Sequence, residues 1–388
     1  MLLIGSRIVT SSTPDLGRAA TRGWCPGVLD PMETGDGWLL RMRLPGGVID
    51  VSQLRVVGAV AAEHGSGQVD ITSRGNLQIR GVSADRVAVA GDELVRAGLA
   101  LPDAAADARR AVVASPLAGH DATALGDSQA VVDDWLSAAW SGTLPSKFGV
   151  VIDDGGRWNL SGVDADVRVV PVGEGWSVQL RGSNEAAGWT AEPAAVVQRV
   201  ATLCADRAQR MNAIVAEMGS EAVLAQLGVE PRPAAAPMRT TGHRLLGIID
   251  HPDANRRNVL AGPFLGRIDA ATISQLANLA DERRAAIRFT PDHSVALCGV
   301  SAANAGDLVE QLSELTFAIS STDPRADLSA CVGSRGCASA FADTWLAAEQ
   351  MARAVPSVGR VHLSACAKAC GSPAGVHHLV ATTNGSFR

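Results

Sequence analysis

The sequence predicts an α+β protein in which one ferredoxin-like half-unit occurs twice, each copy followed by a further α/β domain. Three observations predict this. A strand–helix–strand–strand–helix pattern recurs with an offset of 218 residues. A proline-rich run separates the two occurrences. Four cysteines, Cys331, Cys337, Cys366 and Cys370, gather near the C-terminus.

The duplication is legible in short matches. Ile71-Thr72 stands nine residues before Gly81-Val82-Ser83-Ala84, and Phe289-Thr290 stands nine residues before Gly299-Val300-Ser301-Ala302. Ile49-Asp50 and Ser52-Gln53-Leu54 are echoed by Ile268-Asp269 and Ser274-Gln275-Leu276. Matches held at a fixed offset signal an internal repeat.

In the first copy, Trp38 to Leu44 alternates as a strand does, and Val51 to Glu63 has helical periodicity behind a capping Asp50 or Ser52. Gln68–Thr72 and Leu77–Gly81 read as paired strands, and Ser83 to Ala97 as a second helix. Between the copies, Asp127 to Trp140 reads as a helix, Phe148–Asp153, Val167–Val170 and Trp176–Arg181 as strands, and Ala194–Leu227 as mostly helical. The expected organisation is a first half-unit over 20–100, an α/β domain over 101–228, a proline-rich linker over 229–240, a second half-unit over 241–322 and a cysteine-bearing domain over 323–388.

Composition excludes several classes. Net charge is −6 with no basic block, which argues against nucleic acid as a partner. No stretch of about 18 apolar residues is present, so no membrane span is expected. The first residues, Met1 to Arg7, show no basic segment before a long apolar run. A cytoplasmic protein with reduced thiols is therefore expected.

The copies differ on one strand. Copy one carries Arg74, Asn76, Gln78 and Arg80 where copy two carries Asp292, Ser294, Ala296 and Cys298. Residues two apart on a strand project from one face, so the first copy presents a polar face with two arginines. Such a face suits an anionic ligand through forked hydrogen bonds; a solvated strand face is the plainer alternative.

The cysteines are spaced C-x5-C and C-x3-C. Structural zinc sites favour tighter knuckles. The small residues around the cysteines (Gly333, Gly336, Ala338, Ala365, Ala367, Ala369, Gly371) let backbone approach a bulky inorganic group. This favours an iron–sulfur cluster over zinc; buried free thiols are the remaining possibility. Lys368, between two of the cysteines, reads as an electrostatic partner for such a centre.

Taken in order, these residues resemble the nitrite/sulfite reductase family over nearly the whole chain. Trp24-Cys25-Pro26-Gly27 and Leu44-Pro45-Gly46-Gly47 are similar to its opening segments in one branch, which takes a precorrin as substrate in aerobic cobalamin biosynthesis. Thr72 to Val82 resembles the T-x-R-x-N-x-Q-x-R signature, Arg110 to Gly119 the R-N-x-x-x-S-P-x-A-G segment, and Leu144 to Phe148 the L-P-x-K-F motif. The cysteines resemble the ligands of the family's 4Fe-4S cluster.

The resemblance implies reductase-type α/β domains carrying the cluster, and Arg74, Arg110 and Lys147 as contacts to an anionic substrate or to tetrapyrrole carboxylates. For the precorrin branch it implies O2-dependent hydroxylation of precorrin-3A at C20 with γ-lactone closure, a mononuclear non-haem iron, and electrons from NADH through a reductase. The alternative is a sirohaem-dependent nitrite or sulfite reductase, and a third reading is a tetrapyrrole or iron–sulfur carrier. Three departures weaken the reductase. A second lysine is replaced by Gly149, an asparagine by Ala111, and the chain ends 18 residues after Cys370. No pair of histidines has the spacing of an iron triad. His120-Asp121 lies nearest the implied pocket and is the candidate for an iron ligand or catalytic group. Asn255-Arg256-Arg257-Asn258 reads equally as a second anion contact or a solvated loop.

Overall fold

The computed structural model describes residues 25–183, 186–233, 244–354, 359–373 and 376–388. The N-terminal segment, Trp24, His243 and the proline-rich run from Ala234 onward lie outside them.

The first copy comprises β1 (Met32–Thr34), β2 (Gly37–Met42), β3 (Val48–Ile49), α1 (Val51–His64), β4 (Gln68–Ile71), β5 (Leu77–Val82) and α2 (Val87–Arg96). Helix α1 begins where a capping residue was expected. The Asp50 carboxylate accepts the Gln53 N–H at 2.8 Å, and the Gln53 side chain accepts the Asp50 N–H at 3.2 Å. This reciprocal box satisfies two otherwise orphaned donors. Helix α2 starts four residues later than the pattern suggests, because Ser83 to Arg86 close a turn first.

The next segment carries α3 (Ala104–Ala108), β6 (Val112–Ala114), α4 (Ser128–Ser137), β7 (Val150–Ile152), β8 (Val167–Val172), β9 (Gly175–Leu180), β10 (Ala186–Thr190), α5 (Pro193–Arg207), α6 (Met211–Met218), α7 (Ser220–Gln226) and β11 (Glu230–Pro233). Strands β6, β7 and β8 run parallel, and β9, β10 and β11 continue the sheet antiparallel. The expected linker is thus partly structured: Glu230–Pro233 pairs with β10 as an edge strand, a position that tolerates prolines because they lack an N–H.

The second copy repeats the first as β12 (Gly247–Asp250), β13 (Arg256–Ala261), β14 (Arg267–Asp269), α8 (Ala270–Glu282), β15 (Ala286–Phe289), β16 (Val295–Ser301) and α9 (Ala305–Glu314). Then come β17 (Leu328–Ala330), α10 (Thr344–Ala354), β18 (Val361–Ser364) and β19 (His377–Val380), the three strands forming a parallel sheet.

Duplication extends to individual hydrogen bonds. In copy one, Gly75 N–H reaches Thr72 O at 3.0 Å and Thr72 N–H reaches Asn76 O at 2.8 Å; in copy two, His293 N–H reaches Thr290 O at 3.0 Å and Thr290 N–H reaches Ser294 O at 2.9 Å. Both copies also break register at one place, between Trp38 and Leu40 and between Arg257 and Val259.

The copies are not separate bodies. The sheet orders are β1-β2-β5-β4-β14 and β12-β13-β16-β15-β3, so each copy lends one short strand to the other. Leu54 and Val57 of α1, Ile273 and Leu276 of α8, and Ile71 and Phe289 belong to one buried core. Each fully buried large apolar side chain contributes about 1.5–3 kcal/mol, so pulling the copies apart would expose both helices. At the centre the backbones touch: Gly47 has φ +72°, and a Cβ there would sit 1.8 Å from Phe289 O.

Candidate functional site

The fold gathers arginines at one end of the first copy. Arg41 leaves β2, and its Nε and Nη2 both donate to Gln78 Oε1 at 3.1 and 2.8 Å. Arg43, one alternation further, pairs with Asp107, which also lies 3.6 Å from Arg110 Nη1. Arg74 projects from the β4–β5 turn, and its Nη2 donates to the Asp164 carbonyl at 2.5 Å. Burial disfavours the charge of Arg41, Arg74 and Arg110, and Arg43 and Arg74 repel Arg41 in addition. A guanidinium does not deprotonate in a protein, so this group of cations calls for an anion. Arg110 Nη1 is buried without a hydrogen-bond partner.

Arg41 lies close to both Arg43 and Arg74, and Arg43 close to Arg110, so Arg74 and Arg110 belong to one chain of arginines without touching each other directly. The sequence carried a signal for Arg41 and Arg43 in the alternation of Trp38–Leu44, which places both on one strand face. Lys147 is exposed in a left-handed turn with φ 65°, two residues before Gly149, which faces Arg74.

The rest of the expected face is corrected. The strand starts only at Leu77, so Arg74 and Asn76 lie in the hairpin turn rather than on an alternating strand. Asn76, 7% exposed, accepts the Leu44 N–H at 2.9 Å and is spent on the fold. Arg80, 5% exposed, donates to both Asp36 oxygens at 2.9 Å and to Gly336 O at 3.2 Å, on the side of the Cys337 loop. Gln78 bridges, with its Nε2 donating to Asp70 Oδ2 at 2.9 Å. These partners lie far apart in sequence, which is why alternation alone misassigned them.

The cysteines occupy loops at the C-terminal ends of parallel strands. Cys331 follows β17 directly, and its N–H reaches Leu363 O at 3.0 Å. Cys366 follows β18, and the Ala365 N–H donates to Cys331 Sγ at 3.1 Å. Cys337 closes a tight turn onto Gly333 O at 3.0 Å. Burial pushes the Cys370 thiol up, as do the charges of Cys331, Cys366 and Cys337, while Lys368 pulls it down. The four sulfurs thus share one electrostatic neighbourhood. Among the described residues no three His, Cys, Asp or Glu side chains converge as ligands of a single ion. Four thiols on two neighbouring loops, flanked by small residues, are the soft ligand type that an iron–sulfur cluster takes.

No comparable fit exists for a mononuclear iron at the expected place. Asp121 turns away from His120: its oxygens accept the Thr123 N–H and hydroxyl and the Arg157 N–H at 2.7–2.9 Å. His120 Nδ1 instead lies 3.1 Å from His251 Nε2, while His251 Nδ1 accepts the Asp253 N–H at 3.0 Å. That second bond makes His251 Nε2 the donor to His120 Nδ1. Burial, with Arg288, His251 and Arg256 nearby, pushes His120 down to about 4. Asn255-Arg256-Arg257-Asn258 enters β13. Arg256 bonds Gly299 O at 3.2 Å and Asn258 bonds His120 O at 2.7 Å, so the run largely serves the fold.

Exchanged half-domains, a group of arginines in and around the first copy and thiol-bearing loops after β17 and β18 define a duplicated ferredoxin-like protein. The sequence profile of the nitrite/sulfite reductase ferredoxin-like half domain matches residues 30–97 and 251–315, one stretch in each copy. The chain is 30% identical to precorrin-3B synthase of Sinorhizobium sp, over 93% of this chain and 81% of that protein. It is 25% identical to ferredoxin–nitrite reductase of Synechococcus elongatus, over 87% of this chain and 74% of that protein. The solved structure of the Mycobacterium tuberculosis NirA protein shares the fold, with TM-score 0.70 at 20% identity over 86% of this chain and 69% of that one. The chain belongs to the nitrite/sulfite reductase family of oxidoreductases. Among the described residues no helix is long and apolar enough to cross a membrane.

Proposed function

We propose that this oxidoreductase acts as a precorrin-3B synthase: O2-dependent hydroxylation of precorrin-3A at C20 with closure of a γ-lactone, supplied with electrons from NADH through a partner reductase in the cytoplasm. The observation that carries the reading is the half-buried arginine group. Arg41, Arg43, Arg74 and Arg110 have fewer carboxylate partners than charges. A tetrapyrrole with several acid side chains supplies what is lacking. Each charge-assisted pair formed stabilises the complex by roughly 1.5–3 kcal/mol. The 30% identity to a precorrin-3B synthase over most of both chains supports the same substrate class.

The chain's own residues then divide the work. Arg74 and Arg110 take carboxylates, with Lys147 at the rim. Gln78 holds Arg41 in place through two hydrogen bonds to its Oε1. Cys331, Cys337, Cys366 and Cys370 would hold a 4Fe-4S cluster, which when bound supplies one electron at a time. The described residues do not assemble ligands for a non-haem iron at His120, and no step is assigned to one.

The second reading is a sirohaem enzyme that reduces nitrite or sulfite, favoured by the 25% identity to a nitrite reductase. Gly149 weighs against it. A Cβ at that position would lie 2.8 Å from Arg74 Nη1, so a lysine there would have to displace the end of the Arg74 side chain. The absorption spectrum of anaerobically purified protein separates the two. The synthase predicts a brown protein with one broad shoulder near the blue. Stoichiometric sirohaem bands in the Soret and red regions would overturn it.

A further inference from the structure

We infer that Arg267 is a positioning residue that sets the charge beside the cysteine-held cluster and raises its reduction potential. The inference rests on the cluster reading above. Arg267 belongs to the second copy, but β14 crosses to pair with β4, which sets it opposite Asp70. Its side chain is 6% exposed. Nη2 donates to the carbonyls of Cys331 at 2.8 Å and Ala330 at 3.3 Å, and Nε lies 3.4 Å from Asp70 Oδ1. The guanidinium also stacks on Trp345 at 5.5 Å.

Arg267 is not the only arginine here, but it is the one aimed at a cysteine. Arg80 spends its charge on two bonds to Asp36. Arg267 makes no hydrogen bond to a carboxylate: Asp70 Oδ1 has none, and Asp70 is shared with Arg80 at 3.7 Å. Burial disfavours the Arg267 charge; Asp70 and Cys331 favour it. An incompletely balanced cation held in dry protein against a ligand loop stabilises the extra electron of a reduced cluster, since charge and solvent exclusion are what tune such potentials. The position that corresponds to Arg267 in copy one is Val48, before Ile49-Asp50, so the repeat carries this device once.

The test is a redox titration of the cluster followed by electron paramagnetic resonance, on the whole chain purified without oxygen. Arg267→Gln is expected to move the midpoint to a more negative potential. Arg267→Lys, which keeps the charge but loses the fork, is expected to stay near wild type. Asp70→Asn, which removes the counter-charge, is expected to move it positive, and it carries the test if Arg267→Gln loses the cluster. An unchanged midpoint in Arg267→Gln with iron and sulfide intact, a lysine variant shifted as far as the glutamine one, or an unchanged or negative shift in Asp70→Asn would overturn the inference. Iron and sulfide analysis of the wild type separates the two levels. A wild type without a cluster overturns the cluster reading and this inference together, whereas a full cluster with insensitive midpoints overturns only the role of Arg267.

Discussion

Gly149 seats Arg74: the guanidinium Nη1 lies 2.8 Å from where a Cβ on residue 149 would stand. The absence of a side chain at 149 leaves room for the guanidinium of a residue 75 positions earlier in sequence, which the Asp164 carbonyl anchors. Gly149→Ala should push Arg74 out of place without straining the backbone, because Gly149 is not among the positive-φ glycines. Affinity for a tetrapyrrole polycarboxylate such as uroporphyrin, followed by fluorescence quenching, should fall about as far as in Arg74→Ala. The double variant should bind no worse than Arg74→Ala alone; additive losses would show that the two residues act independently.

Arg74→Ala itself should weaken that binding by roughly 10- to 150-fold, the equivalent of one charge-assisted bond of about 1.5–3 kcal/mol. Iron and sulfide content should not change, since Arg74 bonds to Asp164 and not to the cysteine loops. Wild-type affinity in the variant would remove Arg74 from the pocket.

Arg80 gives the opposite expectation. It was read from the sequence as part of the binding face, yet it ties the first copy to the Cys337 loop through Asp36 and Gly336. Arg80→Met takes the forked guanidinium from Asp36 in a nearly dry site, while Asp70 keeps Gln78 and Arg267. Breaking such a pair costs about 3–5 kcal/mol. Chemical denaturation should show that loss.

Cys366→Ala should abolish cluster incorporation, because a cube needs all four thiolates. Cys204→Ala should keep it, as Cys204 lies buried in the core beside β8 and β9. Iron and acid-labile sulfide assays on both variants check the assignment; a full complement in Cys366→Ala would refute it.

Acid should unfold the protein through its buried histidines. His120 is pushed down to about 4, mainly by burial and then by Arg288, and His293 to about 4 by burial and then by Arg244. The ordinary value is near 6.5, so the unfolded chain binds more protons between those limits. Stability is then full above about pH 6.5 and falls as pH drops toward 4. Melting temperatures across that window should show the slope, and His120→Asn should flatten it.

The elements were largely legible because their causes are local. Asp50 caps α1, Asp127 caps α4 and Asp269 caps α8, each from the residue before an apolar period. The placing of Cys331 and Cys366 just after strands β17 and β18 gives the C-x5-C and C-x3-C spacing its local setting. The strand exchange was not legible, because β3 and β14 are two and three residues long and their partners sit in the other copy. Nor was the division of the polar residues. Asn76 answers to Leu44, Arg80 to Asp36 and Gly336, and Asp121 to Arg157, and only the folded chain brings these together. Alternation says which residues share a face; it does not say what that face meets.

The central claim is that the arginine pocket takes a precorrin as substrate beside an electron-relaying cluster. Turnover of precorrin-3A by the purified protein, with NADH and a reductase and with or without O2, tests it most directly. The account predicts a C20-hydroxylated γ-lactone product in the presence of O2 and none without it. Unchanged precorrin-3A under O2, from protein that carries its full iron and sulfide and binds the tetrapyrrole, would contradict it.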